Sequence, residues 1–450
     1  MKTNVSKDTE IFAFSGGNRN AVKAVLAEML SEYEKNGTTQ DPAVLARRSR
    51  DGFNPDDFSR LAMVVNAGTL FPDCLRKAAI FLDCPAEMDP VQFAGLFYGE
   101  GKAPGKIAFL FPGQGSQYIA MGRDLVETFP RAQSVIDRME SLFDHKQPLA
   151  SYIYPEAPGD KADKSRMEAL LRQTDVAQPA IGTMSLIMKN ILSLYRVFPE
   201  AAAGHSYGEL SALCAGKRLS EKDFLRLSVL RGRLMADAGG TDKGQMLAVK
   251  AHPDTILQLV KTTGVDVVLA NKNSPEQGVL SGSSDEIEKM VQICRENRIR
   301  AMLLPVAAAF HSRLVSNAAN GFREKIQEIG MLPGSIPVYS NKTALPYPAD
   351  EKEAAHLFGK HLESPVNFMD QIMNMHSDGI RVFVEVGPKN VLTGLVHSIL
   401  KGFDFHAFSM DASSGKNSGV YDLAAVLCRL AAAGYRVDLR PWGTPGRPVN

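Results

Sequence analysis

The sequence predicts an α/β fold, and three observations predict it. Beyond Lys106 short apolar runs alternate with helical patterns, the mark of a parallel sheet covered on both faces. Inside that region, between about Gly240 and Pro305, four strand-like and two helix-like segments follow one another closely. Ahead of it, residues 8–100 carry strand and helix patterns of their own. At 450 residues the chain exceeds one ordinary core, so two or three packed units are expected.

Each element is justified by its local pattern. Ile11 to Ser15 reads as a strand, Asn20 to about Glu34 repeats its apolar residues at helical spacing, and Leu61 to Val65 reads as a second strand. This segment has no paired histidine, acid or nucleophile motif and reads as a small α+β packing or adaptor unit. Gly99 to Gly105 reads as a linker. Ile107 to Phe111 is an apolar run ending at Pro112-Gly113, and Ala201 to Ala203 precedes a turn at Gly204. Open α/β sheets place their sites at such strand ends. The compact stretch then gives strand Met246 to Val249, a helix to about Thr262, strands Val267 to Ala270 and Gln277 to Ser281, a helix over 284–297 and a strand from Ala301 to Pro305. That β-α-β-β-α-β order is the ferredoxin-like split motif. Val382 to Val386 is a late strand of the larger sheet, and Tyr421 to Pro441 reads as one amphipathic helix with a short extended tail.

Composition removes several function classes. Lys plus Arg (51) and Asp plus Glu (50) nearly cancel, so no general field would hold nucleic acid or an anionic membrane. No run of eighteen apolar residues could span a bilayer and no charged-then-apolar leader is evident, so a soluble, cytoplasmic protein is expected. The five cysteines are scattered and lack the close pairs of a zinc or redox site, and read as reduced packing residues.

Chemistry concentrates at three places. Gly204-His205-Ser206-Tyr207-Gly208 has the spacing of a nucleophile elbow and lies between an apolar strand and a helix-forming run. Its glycines would let strand and helix approach while Ser206 presents its hydroxyl on a strained turn. A serine needs a base, and of nine histidines His311 is chosen, because Pro305 to Phe310 reads as an apolar strand that delivers it to a sheet-edge cleft. His205, an elbow residue, is expected to point away from the serine. An oxyanion binder is the third requirement: the Tyr207 amide would be one donor, and the Gln114 amide in the glycine-rich loop Phe111 to Gln117 the other. That loop lacks the ending of a P-loop and the spacing of a dinucleotide fingerprint.

These motifs and their order resemble the malonyl-CoA:acyl-carrier-protein transacylase family, and most of all the acyltransferase domains of polyketide and polyunsaturated fatty acid synthases. The likeness runs from about Lys106 to Met410 and rests on Phe111–Tyr118, Thr174–Ala180 with Gln178-Pro179, Gly204–Gly208, Arg231-Gly232, Asn273-Ser274-Pro275, Phe310-His311-Ser312, Leu362–Val366 and Glu385–Leu395. It implies an α/β-hydrolase-like large subdomain over 106–238 and 306–410 with an inserted ferredoxin-like small subdomain over 239–305. Residues 1–105 resemble the linker domain between ketosynthase and acyltransferase, and 411–450 the linker that follows the acyltransferase.

The resemblance also assigns roles. Ser206 is the nucleophile and His311 the general base and acid, with a backbone carbonyl at the position of His361 orienting the imidazole in place of a triad carboxylate. Arg231 matches the arginine that pairs with the free carboxylate of malonyl-type substrates, as a planar guanidinium can with two parallel hydrogen bonds. By pattern alone Arg231 is a solvated residue of an ordinary helix. Gln178 and Asn273 are carried over as pocket-lining polar groups. Ala308-Ala309-Phe310-His311 departs from the His-Ala-Phe-His common in malonyl domains, yet Phe310 would fill the space a methyl branch needs. Tyr207 is unusual at its position. The implied reaction moves an acyl group, malonyl foremost, from CoA to Ser206 and on to the phosphopantetheine thiol of an acyl carrier protein. CoA thioester is then substrate, and no bound cofactor or metal is required. A ketosynthase domain is a further partner implied through the N-terminal linker. Two rivals stand: a serine hydrolase or editing thioesterase, and a scaffold domain that keeps the fold without the chemistry.

Overall fold

The computed structural model describes residues 9–36, 41–66, 71–83, 94–238, 244–305 and 309–443. Three sheets organise it. The first is antiparallel, ordered β1 (Thr9–Gly16), β2 (Ser59–Asn66), β3 (Leu96–Glu100). Gly99 and Glu100 therefore belong to a strand paired with Arg60 and Ser59, and the expected linker begins two residues later.

The central sheet is parallel, with β4 (Lys106–Phe111) between β5 (Ala201–Gly204) and β10 (Ile380–Glu385), and β11 (His406–Ser409) at one edge. Its strands read as continuous apolar runs because both faces are covered. Ala108, Leu110, Ala201, Ala203 and Phe383 pack into the core on one face. Ile107, Phe109, Phe111, Ala202, Val382 and Val384 pack into the larger core on the other. The short segment 337–339 runs beside β5, with Ala202 N donating to Pro337 O and Tyr339 N to Ala202 O.

The third sheet is antiparallel, ordered β7 (Val267–Ser274), β8 (Gln277–Gly282), β6 (Gln245–Val249), β9 (Ala301–Leu303), with helices Pro253–Thr263 and Ser284–Glu296 completing the unit. It is tied to the central part by backbone: Val366 N donates to Ala270 O at 2.8 Å, and Lys272 N donates to Val366 O at 2.9 Å.

The C-terminal helix departs from the amphipathic expectation. Gly419–Ala432 is buried on nearly every side, from Val420 through Ala432, because it is wedged between the first sheet and the central core. The tail beyond it is docked rather than loose. Trp442, the only tryptophan, is 3% exposed; its indole N–H donates to Thr9 O at 3.1 Å and its carbonyl accepts from Arg50 at 2.9 Å. Asp438 N donates to Tyr195 O on the central part. One aromatic side chain thus joins the end of the described chain to its first strand. Trp442→Ala is expected to cost about 3–5 kcal/mol, as large buried aromatics do, read as a lowered urea midpoint in circular dichroism. An unchanged midpoint would mean that the tail is not part of the core.

Candidate active site

The serine is held on a strained turn by contacts that admit no larger residues. Ser206 has φ +50°, a left-handed conformation uncommon outside glycine. A Cβ on Gly208 would fall 1.9 Å from Phe111 O, so only glycine lets the helix Gly208–Ala215 start this close to β4. Asn341 fastens the turn from the side: its Oδ1 accepts from Ser206 N at 2.8 Å and its amide donates to Gly204 O at 2.6 Å. Sequence reasoning missed Asn341, whose one signal is a polar pair, Ser340-Asn341, directly after the apolar Val338-Tyr339.

His311 meets Ser206 as expected, but from a different local structure. It lies on a turn with φ +58° rather than on a strand, and residues 306–308, the middle of the expected strand, lie outside the described residues. Its Nε2 is 2.8 Å from Ser206 Oγ, and its Nδ1 is 2.9 Å from Ser364 O. A carbonyl can only accept, so Nδ1 carries the proton, and Nε2 is left to accept from the serine hydroxyl. The orienting carbonyl is that of Ser364 and not that of His361. A turn over 361–363 and a bend after it carry the chain so that the carbonyl three residues later faces the imidazole. Burial drives the His311 pKa well below the ordinary histidine value, and the nearby His361, Arg231 and His205 push the same way. The base is therefore neutral and ready at physiological pH.

The oxyanion donors are available. Among the described residues neither the Tyr207 nor the Gln114 amide meets a hydrogen-bond acceptor. Gly113 holds the two loops together: a Cβ there would lie 2.4 Å from His205 O and 3.6 Å from Tyr207 N. Ser206 N is occupied by Asn341 and is not a third donor. The Tyr207 side chain is buried and bonded to Ser228 Oγ at 2.7 Å. Its unusual bulk is accommodated because position 182 is glycine, where a Cβ would lie 2.0 Å from the phenol oxygen.

Arg231 is the largest departure from pattern-based expectation. It lies on the helix Glu221–Ala236, whose start Ser220 caps by accepting from Asp223 N. Far from being solvated it is 1% exposed, with Nη2 3.5 Å from Ser206 Oγ and 3.0 Å from His361 Nε2. Its Nε has no partner among the described residues. Burial lowers its pKa to about 10, which leaves it cationic at neutral pH. The Tyr207 ring lies 5.7 Å from the guanidinium carbon.

A cleft of about 250 Å³ opens onto the serine, lined on one side by Gly113, Gln114 and Leu392 and on the other by Asn271, Asn273 and Gln277 of the third sheet. Phe310 and His311 also line it. His205, expected to face away, lines this cleft and bonds through Nε2 to Asn273 Oδ1 at 2.7 Å, without touching the serine hydroxyl. Asn273 is thus brought to the site. Gln178 does not line this cleft: it is buried in the helix Thr174–Leu194, with its amide nitrogen 3.6 Å from the Met235 sulfur. The side chains of Glu209 and His361, which form a buried pair at 2.6 Å behind Arg231, were missed.

No group of three metal-ligating side chains occurs among the described residues. No described helix is long and apolar enough to cross a membrane.

Known proteins resemble this chain in sequence and in fold. The malonyl CoA-acyl carrier protein transacylase of Bacillus subtilis (strain 168) is 36% identical over 301 residues, 65% of this chain and 90% of that protein. A polyunsaturated fatty acid synthase polypeptide of Thraustochytrium is 30% identical over 355 residues, 76% of this chain but only 12% of that much longer protein. Among solved structures, the acyltransferase domain from the second module of the salinomycin polyketide synthase is similar with a TM-score of 0.72 and 27% identity, over 96% of each chain. The family described as "Acyl transferase domain" matches residues 108–416, which contain the serine, the histidine and the buried arginine, and the chain belongs to that family.

Proposed function

We propose that the chain is an acyl-CoA:acyl-carrier-protein S-acyltransferase that carries malonyl groups. The observation that carries the reading is a buried, cationic Arg231 beside the Ser206–His311 pair, with one donor unused among the described residues. A cation fixed 3.5 Å from the nucleophile, where the nucleophile itself opens onto a cleft that no described carboxylate lines, favours a substrate that brings its own anion.

The steps follow from the geometry. A malonyl thioester enters with its carboxylate on Arg231 and its carbonyl oxygen toward the Tyr207 and Gln114 amides. Ser206 Oγ attacks the carbonyl carbon while His311 Nε2 takes its proton, and the amides stabilise the oxygen's developing charge. His311 returns that proton to the departing CoA sulfur. The phosphopantetheine thiol of a carrier protein then gives its proton to His311 and attacks the seryl ester, and His311 passes that proton to Ser206 Oγ as the C–O bond breaks. Phe310, which lines the cleft, would crowd a methyl branch, and because one methyl group is worth little in such a pocket the discrimination against methylmalonyl is expected to be modest.

The carrier protein as acceptor is supported by the similarity to a transacylase that acts on one. The flanks are read as synthase pieces: residues 1–105 as a linker domain that would adjoin a ketosynthase, and 411–450 as the linker that wraps back onto it. The Trp442 docking on β1 and the likeness to a synthase acyltransferase domain over 96% of both chains support this. The central sheet with 106–238 and 306–410 is read as the α/β-hydrolase-like subdomain, and 239–305 as the ferredoxin-like one, on the strand order β7-β8-β6-β9. A hydrolase reading has no comparable support, since none of the relatives above is named as a hydrolase.

Three outcomes are expected. Incubation with malonyl-CoA should add one malonyl mass to the intact protein and none to Ser206→Ala; a labelled alanine variant would exclude Ser206 as nucleophile. Arg231→Ala should lower malonyl transfer roughly tenfold to a hundredfold more than acetyl transfer, and equal losses would refute the carboxylate role. Because His311 is neutral to well below its usual pKa, kcat/KM for malonyl-CoA should stay level as pH falls through about 6.5. Protonation then ends activity only at more acidic pH, and an inflection at about 6.5 or above would contradict the buried, neutral base.

A further inference from the structure

The donor-acceptor polarity behind Arg231 is fixed in one direction. A guanidinium can only donate, so His361 Nε2, 3.0 Å from Arg231 Nη2, must accept. The remaining ring nitrogen, Nδ1, therefore bears the proton and donates to Glu209 Oε2 at 2.6 Å. The other Glu209 oxygen accepts from Asn341 N at 2.9 Å and from the Tyr347 hydroxyl at 2.6 Å. All three side chains in the line are buried, with Glu209 1% and His361 3% exposed.

We propose that Glu209 and His361 are positioning residues that hold the Arg231 guanidinium in place beside Ser206 and thereby set selectivity for acyl groups that carry a free carboxylate. The inference rests on the carboxylate reading of Arg231 above. An imidazole between the two charges has a specific advantage over a direct pair. A carboxylate bonded straight to Arg231 would occupy the donors that the substrate needs and neutralise the cation. With His361 interposed, one Nη2 bond fixes the rotamer while the negative charge stays a ring's width away. Arg231 Nε is left without a partner among the described residues, so that donor is not consumed by the support. Burial holds the His361 pKa below the ordinary histidine value, which keeps Nε2 available as an acceptor.

The same Glu209 also receives the amide of Asn341, the residue that fastens the Ser206 turn. Arginine and nucleophile are thus referenced to one buried carboxylate. This explains how the guanidinium can sit 3.5 Å from Ser206 Oγ without displacing His311 from it.

The test compares His361→Leu, which removes both ring nitrogens, with His361→Gln, whose amide offers an acceptor and a donor on one group. For each, kcat/KM is measured with malonyl-CoA and with acetyl-CoA on the same preparation of the full chain, so any loss of folded protein cancels in the ratio. The malonyl-to-acetyl ratio of His361→Leu should fall about tenfold to a hundredfold, as when a substrate-holding group is displaced by an ångström or so, and His361→Gln should recover most of it. An unchanged ratio in His361→Leu, or a glutamine variant no better than the leucine one, would overturn the proposal. Arg231→Ala measured alongside separates the two readings. If it leaves the ratio unchanged, the carboxylate role itself is wrong; if it collapses the ratio while His361→Leu does not, only the positioning role is wrong.

Discussion

The site depends on a closed ring of short contacts that fixes Ser206 and His311 to the same support. From the serine hydroxyl the ring passes to His311 Nε2, from Nδ1 to Ser364 O, and along the chain to Asn367. Asn367 N donates to Asn341 O at 2.9 Å, and the Asn341 side chain returns to Ser206 N at 2.8 Å. Both reacting residues sit at positive φ, a conformation that costs energy in each and persists only where surroundings impose it. The ring is that imposition. Two groups 105 residues apart in sequence could not otherwise be kept at hydrogen-bond distance without continual reorganisation.

Burial then decides the charge states. In a poorly hydrated site an unpaired charge is penalised, so His205, His311 and His361 are all shifted toward neutrality. Arg231 resists because its starting pKa is so high that even a shift to about 10 leaves it protonated. The result is one fixed cation among neutral acceptors, with the Glu209 carboxylate separated from the guanidinium by the His361 ring. A lysine in place of Arg231 would lose this separation of duties, since it cannot present a planar set of donors to a ring on one edge and a carboxylate on the other.

Much of this was legible in the sequence where local pattern and geometry coincide. The elbow could be read because its glycines, its preceding alanine strand and its following helix are contiguous. The strands of the third sheet could be read because each short apolar run is bounded by turns, so that Val267 to Ala270 and Gln277 to Ser281 fall inside the observed β7 and β8. Arg231 was legible only through family resemblance, because helix periodicity cannot distinguish a solvated face from one packed against a second helix. Ser364 was misassigned to His361 because backbone carbonyls leave no trace in residue identity, and a few residues of turn are enough to change which one faces inward. Asn341 and Glu209 escaped for a related reason. Asn341 meets Ser206 across 135 residues and Glu209 meets His361 across 152, separations that no spacing rule records.

The segment 364–367 links the chemistry to the shape of the cleft. Ser364 O orients the base, Val366 N and O clamp β7 of the third sheet, and Asn367 N holds Asn341. The wall that faces the serine, Asn271 and Asn273 of β7 with Gln277 of β8, therefore hangs on the same few residues that set the imidazole. His205 adds a side-chain link from the elbow to that wall through Asn273, which in turn donates to Gln277. A displacement of the third sheet large enough to widen the cleft would have to pull on Val366. It would then shift the nearby Ser364 carbonyl that keeps His311 in its active tautomer. The cleft wall and the base orientation therefore rest on one support, the four residues 364–367, rather than on two independent ones.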